Sequence, residues 1–265
     1  MRLFGHHFRS ELGGVLGWGL ALAVMTVMLT AVYTLVAGGL ADQFQQILTA
    51  MPPQMREFFG SSAGAVTSVP AWLSAIALSG FLPMLVAIWV ALAVVGVITA
   101  DTESGTLEFI LSLPVHRWRL LAERWLSLLS QLALLYAAVW AVMLGTVAGI
   151  GQHIDAGRLS AALGVQFLAE AALAGMLLLV SLPFRDQVKG VLSTITLALV
   201  FVFLPVFVEA GSRYEWLRKL TPFDYGGAGQ LLLGGAFPWS DAWLLLAWAV
   251  VGFALALVTF IRQEV

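Results

Sequence analysis

Six apolar stretches dominate this sequence, and each has about the length that a helix needs to cross a bilayer. They cover roughly residues 13–37, 71–100, 126–149, 159–184, 191–208 and 242–261. A spanning helix requires about 20 mostly apolar residues, whereas a membrane barrel would show short strands of alternating polarity. No such alternation is present. The sequence therefore predicts an all-α integral membrane protein, with six transmembrane helices in one domain over residues 1–265.

Composition agrees with this prediction and excludes several classes of function. The chain is 60% hydrophobic and 11% charged, against about 25% charged residues in soluble domains. A net charge of -2 argues against nucleic acid as a partner. There is no cysteine, so a disulfide framework and thiolate metal sites are excluded. The four histidines do not pair at the helical spacing that metal ligands use, so we predict no metal site.

Lysine and arginine at the ends of the apolar stretches predict the orientation, because cytoplasmic loops carry an excess of basic residues. On one side lie Arg2, Arg9, Arg117, Arg119, Arg124, Arg185, Lys189 and Arg262. The other side has longer loops with fewer basic residues: Arg56, Arg158, Arg213, Arg218 and Lys219. The first side is therefore predicted to be cytoplasmic. Both termini would lie on the cytoplasmic side of the cell membrane, and residues 101–125 would form the one substantial cytoplasmic loop.

Shorter elements are expected around the spans. Residues 1–12 have the pattern of an interfacial helix. Residues 40–51 carry a clean apolar stripe that ends at two prolines, which predicts an amphipathic helix on the outer face. Residues 213–239 alternate polar, glycine-rich and apolar runs, as an outer-face or re-entrant segment would. The second stretch contains Gly80 and Pro83, which predicts a tilt, a kink at Pro83 or an extension beyond the membrane.

The most polar long stretch is DTESGTLEFILSLPVHRWRLL, residues 101–121. Its first residues are of helix-capping types, and Leu107, Ile110 and Leu111 then share one helical face. Pro114 disfavours a helical residue before it and so ends this short helix. The pattern predicts a small cytoplasmic helix that presents Glu108. It fits an ordinary interfacial loop as well as a docking element for a partner, and the local physics does not separate the two.

The same stretch resembles the signature of ABC-2-type permeases, the membrane subunits of one class of ATP-binding cassette exporters. The matching residues are Glu103, Gly105, Thr106, Leu107, Glu108, Pro114, Val115 and Arg117. In such permeases this loop joins spans two and three and contains a coupling helix that sits in a cleft of the ATPase subunit. Two departures keep the charge: Arg124 stands where lysine is frequent, and Thr102 separates Asp101 from Glu103.

The resemblance implies two partners for this chain, a separate ATPase subunit and a second permease half. A phosphate-binding P-loop needs lysine followed by serine or threonine, but Lys189 and Lys219 are followed by Gly190 and Leu220. ATP and magnesium would therefore bind a separate ATPase subunit, and this chain would carry no cofactor and no catalytic site. A second permease half, identical or different, would complete the transporter. The apolar spans favour export of a hydrophobic or amphipathic substrate.

One acidic residue, Glu170, falls near the middle of the fourth stretch, with Gln166 one turn earlier. An acid at this depth costs about 3 kcal/mol on insertion scales. It could line a translocation path or bind a cationic group, or it could act as a structural clamp by bonding Gln131 or a backbone carbonyl. An intramembrane enzyme would need a second reactive group, and the spans offer none. An ATP-independent secondary transporter or channel is the main alternative to the permease.

Overall fold

The computed structural model describes residues 2–51, 68–103, 116–208 and 212–262. Within these ranges the regular structure is helical, and six helices are long and apolar enough to cross a membrane. The predicted all-α fold with six membrane-spanning helices is therefore confirmed. Many large apolar side chains also face outward, as lipid-facing residues do: Leu16, Leu20, Leu192, Phe207 and Val250 are each about half exposed or more.

The first half of the chain contains α1 (Arg2–Leu35), a π-helical turn (Val36–Leu40), α2 (Ala41–Ala50), α3 (Val69–Trp72), π-helical turns (Leu73–Phe81) and α4 (Leu82–Glu103). The second half contains α5 (Arg117–Gly149), α6 (Ala156–Ser181), α7 (Gln187–Phe207), the short helices α8 (Glu215–Arg218) and α9 (Ala228–Leu232), and α10 (Trp239–Arg262). The spans are α1, the continuous α3–α4 segment, α5, α6, α7 and α10.

The N-terminal segment differs from its prediction as a separate element. Helix α1 runs from Arg2 to Leu35 without a break, so residues 1–12 largely form its first turns. The chain then bends in the π-helical turn at Val36–Leu40 and continues as α2. The predicted amphipathic helix at residues 40–51 thus exists, and the Phe44 ring packs 5.1 Å from the Trp72 ring. The positions of both segments at the membrane interface stay predictions.

The second span is irregular just before Pro83. Its turns from Leu73 to Phe81 are π-helical, and the Leu82 N–H bonds the Ala77 carbonyl instead of continuing the α register. Ser79 donates its hydroxyl to the Ser74 carbonyl at 2.8 Å. Such wide turns leave carbonyl groups for side chains to satisfy, and they are frequent at functional sites. A distortion was expected near Pro83, and the structure has it as π-helical turns.

Helix α6 is the centre of the bundle. It packs against α4, α5, α7, α9 and α10, whereas α1 packs mainly on α5. Its contact with α10 is the closest, because two glycines meet there: a Cβ built on Gly252 would lie 2.7 Å from the carbonyl carbon of Gly175. Without a hydrophobic driving force in lipid, such close backbone approach supplies the packing that holds helices together.

Candidate functional site

The loop that was predicted to be cytoplasmic, residues 101–125, lies between two long helices. Helix α4 ends at Glu103 and α5 begins at Arg117. With 33 residues, α5 is about 50 Å long, which exceeds the roughly 30 Å of a hydrocarbon core. It therefore continues well beyond the apolar layer. The remaining residues predicted for coupling, Gly105, Thr106, Leu107, Glu108, Pro114 and Val115, lie outside the described residues, so their role stays a prediction.

A buried arginine ties these two helices together near the base of the loop. Arg124 of α5 is only 8% exposed, and its guanidinium donates to the backbone carbonyl of Val97 in α4. A charge-assisted hydrogen bond of this kind is stronger than a neutral one. One turn earlier, Arg119 and Glu123 form an ion pair at 2.9 Å on the more exposed face of α5. The Arg124 bond thus links spans two and three.

A pocket of about 420 Å³ lies at the other end of the bundle. Its walls come from the π-helical turns, α6, α7 and the segment that precedes α10. The lining is mixed: apolar side chains such as Leu78 and Val202 stand beside the polar groups of Ser74, Ser79, Gln166, Arg218, Asp224, Tyr225 and Gln230. A volume of this size is typical of small-molecule sites.

We call residues 218–233, which close the pocket after α7, the roof. A proline in α7 explains how the roof is attached to that helix. Pro205 has no N–H, so the Phe201 carbonyl loses its normal partner four residues on. The Thr221 hydroxyl donates to that carbonyl at 2.7 Å, and its oxygen accepts the Phe223 N–H. Thr221 is fully buried. The segment after α7 is thus held against α7 two turns below the end of that helix.

Charged and glycine residues hold the rest of the roof in place. Arg218 pairs with Asp224 at 2.8 Å, and the Gly226 N–H bonds the Asp241 carboxylate of α10 at 3.0 Å. Gly226 has a φ of 91°, a left-handed conformation that suits glycine. Burial, followed by the charges of Asp224 and Asp241, raises the pKa of Tyr225 above its ordinary value.

Helix α9 approaches the π-helical turns so closely that it requires glycine. A Cβ on Gly229 would lie 2.6 Å from the Ser74 hydroxyl oxygen and 3.1 Å from that of Ser79. Both serines line the pocket. Leu231 and Leu232 of the same short helix are buried, which anchors the roof over the pocket.

Glu170 lies next to this pocket, completely buried on α6. Its neighbour Ala169 and the preceding-turn residue Gln166 both line the pocket. Gln131 does not bond Glu170; its amide donates to the Ser127 hydroxyl at 3.3 Å. Within the described ranges, neither carboxylate oxygen of Glu170 has a hydrogen-bond partner. The proposed clamp to Gln131 is thus not formed in this conformation.

The sequence alone identified Gln166 and Glu170 because a polar residue stands out within an apolar run. It did not identify Arg218, Asp224, Thr221 or Ser74 as parts of a pocket. Only Pro205 and the Thr-Pro-Phe-Asp-Tyr run carried a signal: a helix interrupted by proline needs a donor from elsewhere, and threonine can supply one.

Six apolar helices long enough to cross a bilayer define a multi-pass membrane protein. A family model described as ABC-2 family transporter protein matches residues 1–265, and the chain belongs to this family. This is the family that the sequence of residues 101–121 resembles. Among curated proteins, none matches the chain significantly.

Proposed function

We propose that this chain is the permease subunit of an ATP-driven exporter, with the ATPase on a separate subunit. The observation that supports the proposal most is that the family match spans the entire chain, including the loop at residues 101–121. Both helices that flank the loop are long and joined through Arg124 and Val97, as a force-transmitting element requires. Because the family consists of membrane transport proteins, the proposal assigns no catalytic step to this chain.

In the proposed mechanism, ATP and magnesium bind the partner ATPase, and closure of the ATPase pair moves the loop at residues 101–118. Helices α4 and α5 carry this motion as rigid bodies, because their bond near the loop resists independent movement. A path between two permease halves then opens outward. Both termini and the loop lie in the cytoplasm of this arrangement, and the protein sits in the cell membrane.

The test is purification of the tagged full-length protein in mild detergent from its own host, followed by mass spectrometry of bound proteins. We expect a stoichiometric ATPase subunit. Glu108→Ala and Gly105→Pro should lose that subunit and transport, while the protein still inserts into the membrane. Asp42→Ala is the matched control, because Asp42 is an exposed acid on α2.

The opposite result has a clear meaning. A protein that purifies without an ATPase even after crosslinking, or a Glu108→Ala variant that keeps both partner and transport, would contradict the permease proposal. An ATP-independent transporter would then be the better explanation.

A further inference from the structure

Glu170 is a buried acid, and no described residue balances its charge. It is 0% exposed, and neither carboxylate oxygen accepts or donates a hydrogen bond among the described residues. An isolated carboxylate in apolar surroundings is very costly. Such a group must be neutralised, either by a proton or by a cation that enters the site.

Within the described ranges, the helices around Glu170 carry no basic side chain at its depth. Tyr136 on α5 is a neighbouring ionisable group, and its hydroxyl also lacks a partner in the described part of the chain. Along the described lengths of α4, α7, α9 and α10, ionisable residues lie only near helix ends, as with Lys189, Asp241 and Arg262. A cationic ligand would therefore meet no competing protein charge at Glu170.

The pocket lies one helical turn from the acid along α6. Gln166 and Glu170 are four residues apart on α6 and so lie on the same face, one turn apart. Gln166 lines the pocket and is 7% exposed. Helix α6 starts at the pocket end of the bundle, so a ligand that enters the pocket meets Gln166 first and Glu170 one turn deeper.

The other charged groups of the pocket are already matched. Arg218 and Asp224 pair with each other at 2.8 Å, so together they add no net charge. The remaining lining combines leucine, valine, proline and phenylalanine side chains with the uncharged polar groups of serine, glutamine and tyrosine. The pocket and its adjacent acid thus combine a chamber of about 420 Å³, with both apolar and uncharged polar walls, and one buried carboxyl group that has no partner among the described residues.

We propose that this pocket binds cationic amphiphiles, with the apolar body of the ligand in the chamber and its positive group at Glu170. The inference rests on the proposed function, for which it names the substrate class. Glu170 itself does not line the pocket, so the proposal requires side chains between the pocket and Glu170 to move when the ligand binds. When the cation enters, it replaces the proton on the carboxyl group, and the proton leaves to solvent.

The test measures equilibrium binding of radiolabelled tetraphenylphosphonium to the purified full-length protein in detergent, by scintillation proximity. Wild type should bind it saturably, and triphenylphosphine oxide, an uncharged molecule of related shape, should compete at least tenfold less well. Glu170→Gln should weaken binding at least tenfold. Asp42→Asn, at an exposed acid on α2, should bind as wild type does.

Proton competition provides a second measurement in the unmodified protein, in case Glu170→Gln fails to fold. Affinity for tetraphenylphosphonium should rise with pH, and binding should release a proton into weakly buffered solution. Asp224→Asn should keep this pH dependence, which separates Glu170 from the pocket acid Asp224. An affinity independent of pH, unchanged binding by folded Glu170→Gln, or equal competition by the neutral oxide would overturn the proposal.

The two proposals fail in different ways. If wild type copurifies with an ATPase but does not bind tetraphenylphosphonium, the cationic substrate class is wrong and the permease function stands. If Glu170-dependent binding occurs without any ATPase, the binding site stands and the ATP-driven function is wrong.

Discussion

The Thr221 hydroxyl donates to the Phe201 carbonyl at 2.7 Å, at the position where Pro205 removes the normal helical donor. A residue of the segment after α7 thus completes the hydrogen bonding of α7 itself. The bond is buried and fixes the depth at which the roof of the pocket is held. The Phe201 carbonyl and the N–H that Pro205 lacks both belong to α7, so a double-mutant cycle at Thr221 and Pro205 can test this relationship.

Thr221→Val should destabilise the protein by about 1–3 kcal/mol, because it leaves a buried carbonyl without a donor. Thr221→Ser should keep most of the stability. Pro205→Ala restores an N–H to α7, so the double variant should lose less than Thr221→Val alone. The thermal unfolding midpoint in detergent is the measurement. Equal losses for Thr221→Val with and without Pro205→Ala would contradict the explanation.

Gly252→Val should separate α6 from α10, since even a Cβ at this position would meet the Gly175 backbone at 2.7 Å. Overpacking typically costs about 1–3 kcal/mol, and the backbone contact allows little relief. We expect a lower unfolding midpoint and loss of the monodisperse peak in size-exclusion chromatography. Gly145→Val is the control, because a Cβ there has no atom within 4 Å. If both variants lower the unfolding midpoint equally, a general effect of placing valine in a helix, and not the contact with Gly175, would explain the loss.

Arg124→Met should loosen the joint between spans two and three while keeping the apolar stem of the side chain. Loss of a charge-assisted bond to the Val97 carbonyl costs about 1.5–3 kcal/mol. In the proposed transporter, the variant should retain its ATPase partner but transport poorly. Arg119→Met removes an exposed ion pair worth under about 1 kcal/mol and should transport normally. A fully active Arg124→Met would show that the joint is dispensable.

Asp186 should make the start of α7 sensitive to acid. It caps the helix by accepting the Lys189 backbone N–H, and that bond, with the Lys189 charge, lowers the pKa of its carboxyl below the ordinary value of 3.8. The folded pKa is lower than the unfolded one, so the stabilisation is present above about pH 4 and is lost as pH falls through the folded pKa. Exchange of the Lys189 amide, compared between wild type and Asp186→Ala, checks this expectation. If the Asp186 cap stabilises the helix start, the Lys189 amide will exchange faster in Asp186→Ala than in wild type at neutral pH. At low pH the two exchange rates will be equal.

The spans were predictable because membrane thickness imposes a length on every crossing helix, and long apolar runs leave few other assignments. Glu170 was visible for the same reason, as an acid within such a run. The continuity of α1 through residue 12 was not predictable, because an amphipathic start and a spanning helix have the same period. The contacts of Thr221 with Phe201 and of Arg218 with Asp224 depend on how the segment before α10 folds back, and that path is set by tertiary packing.

The unbroken length of α5 also sets the scale of motion that the fold can use. A straight rod about 50 Å long that tilts by about 5° displaces its far end by about 4 Å, close to the width of a methylene chain. Helix α5 begins at Arg117, beside the predicted coupling loop, and ends at Gly149 at the opposite end of the bundle. Leverage of this kind lets a small push on one side of the membrane widen a gap on the other side, with no bend in the helix and no broken backbone hydrogen bond.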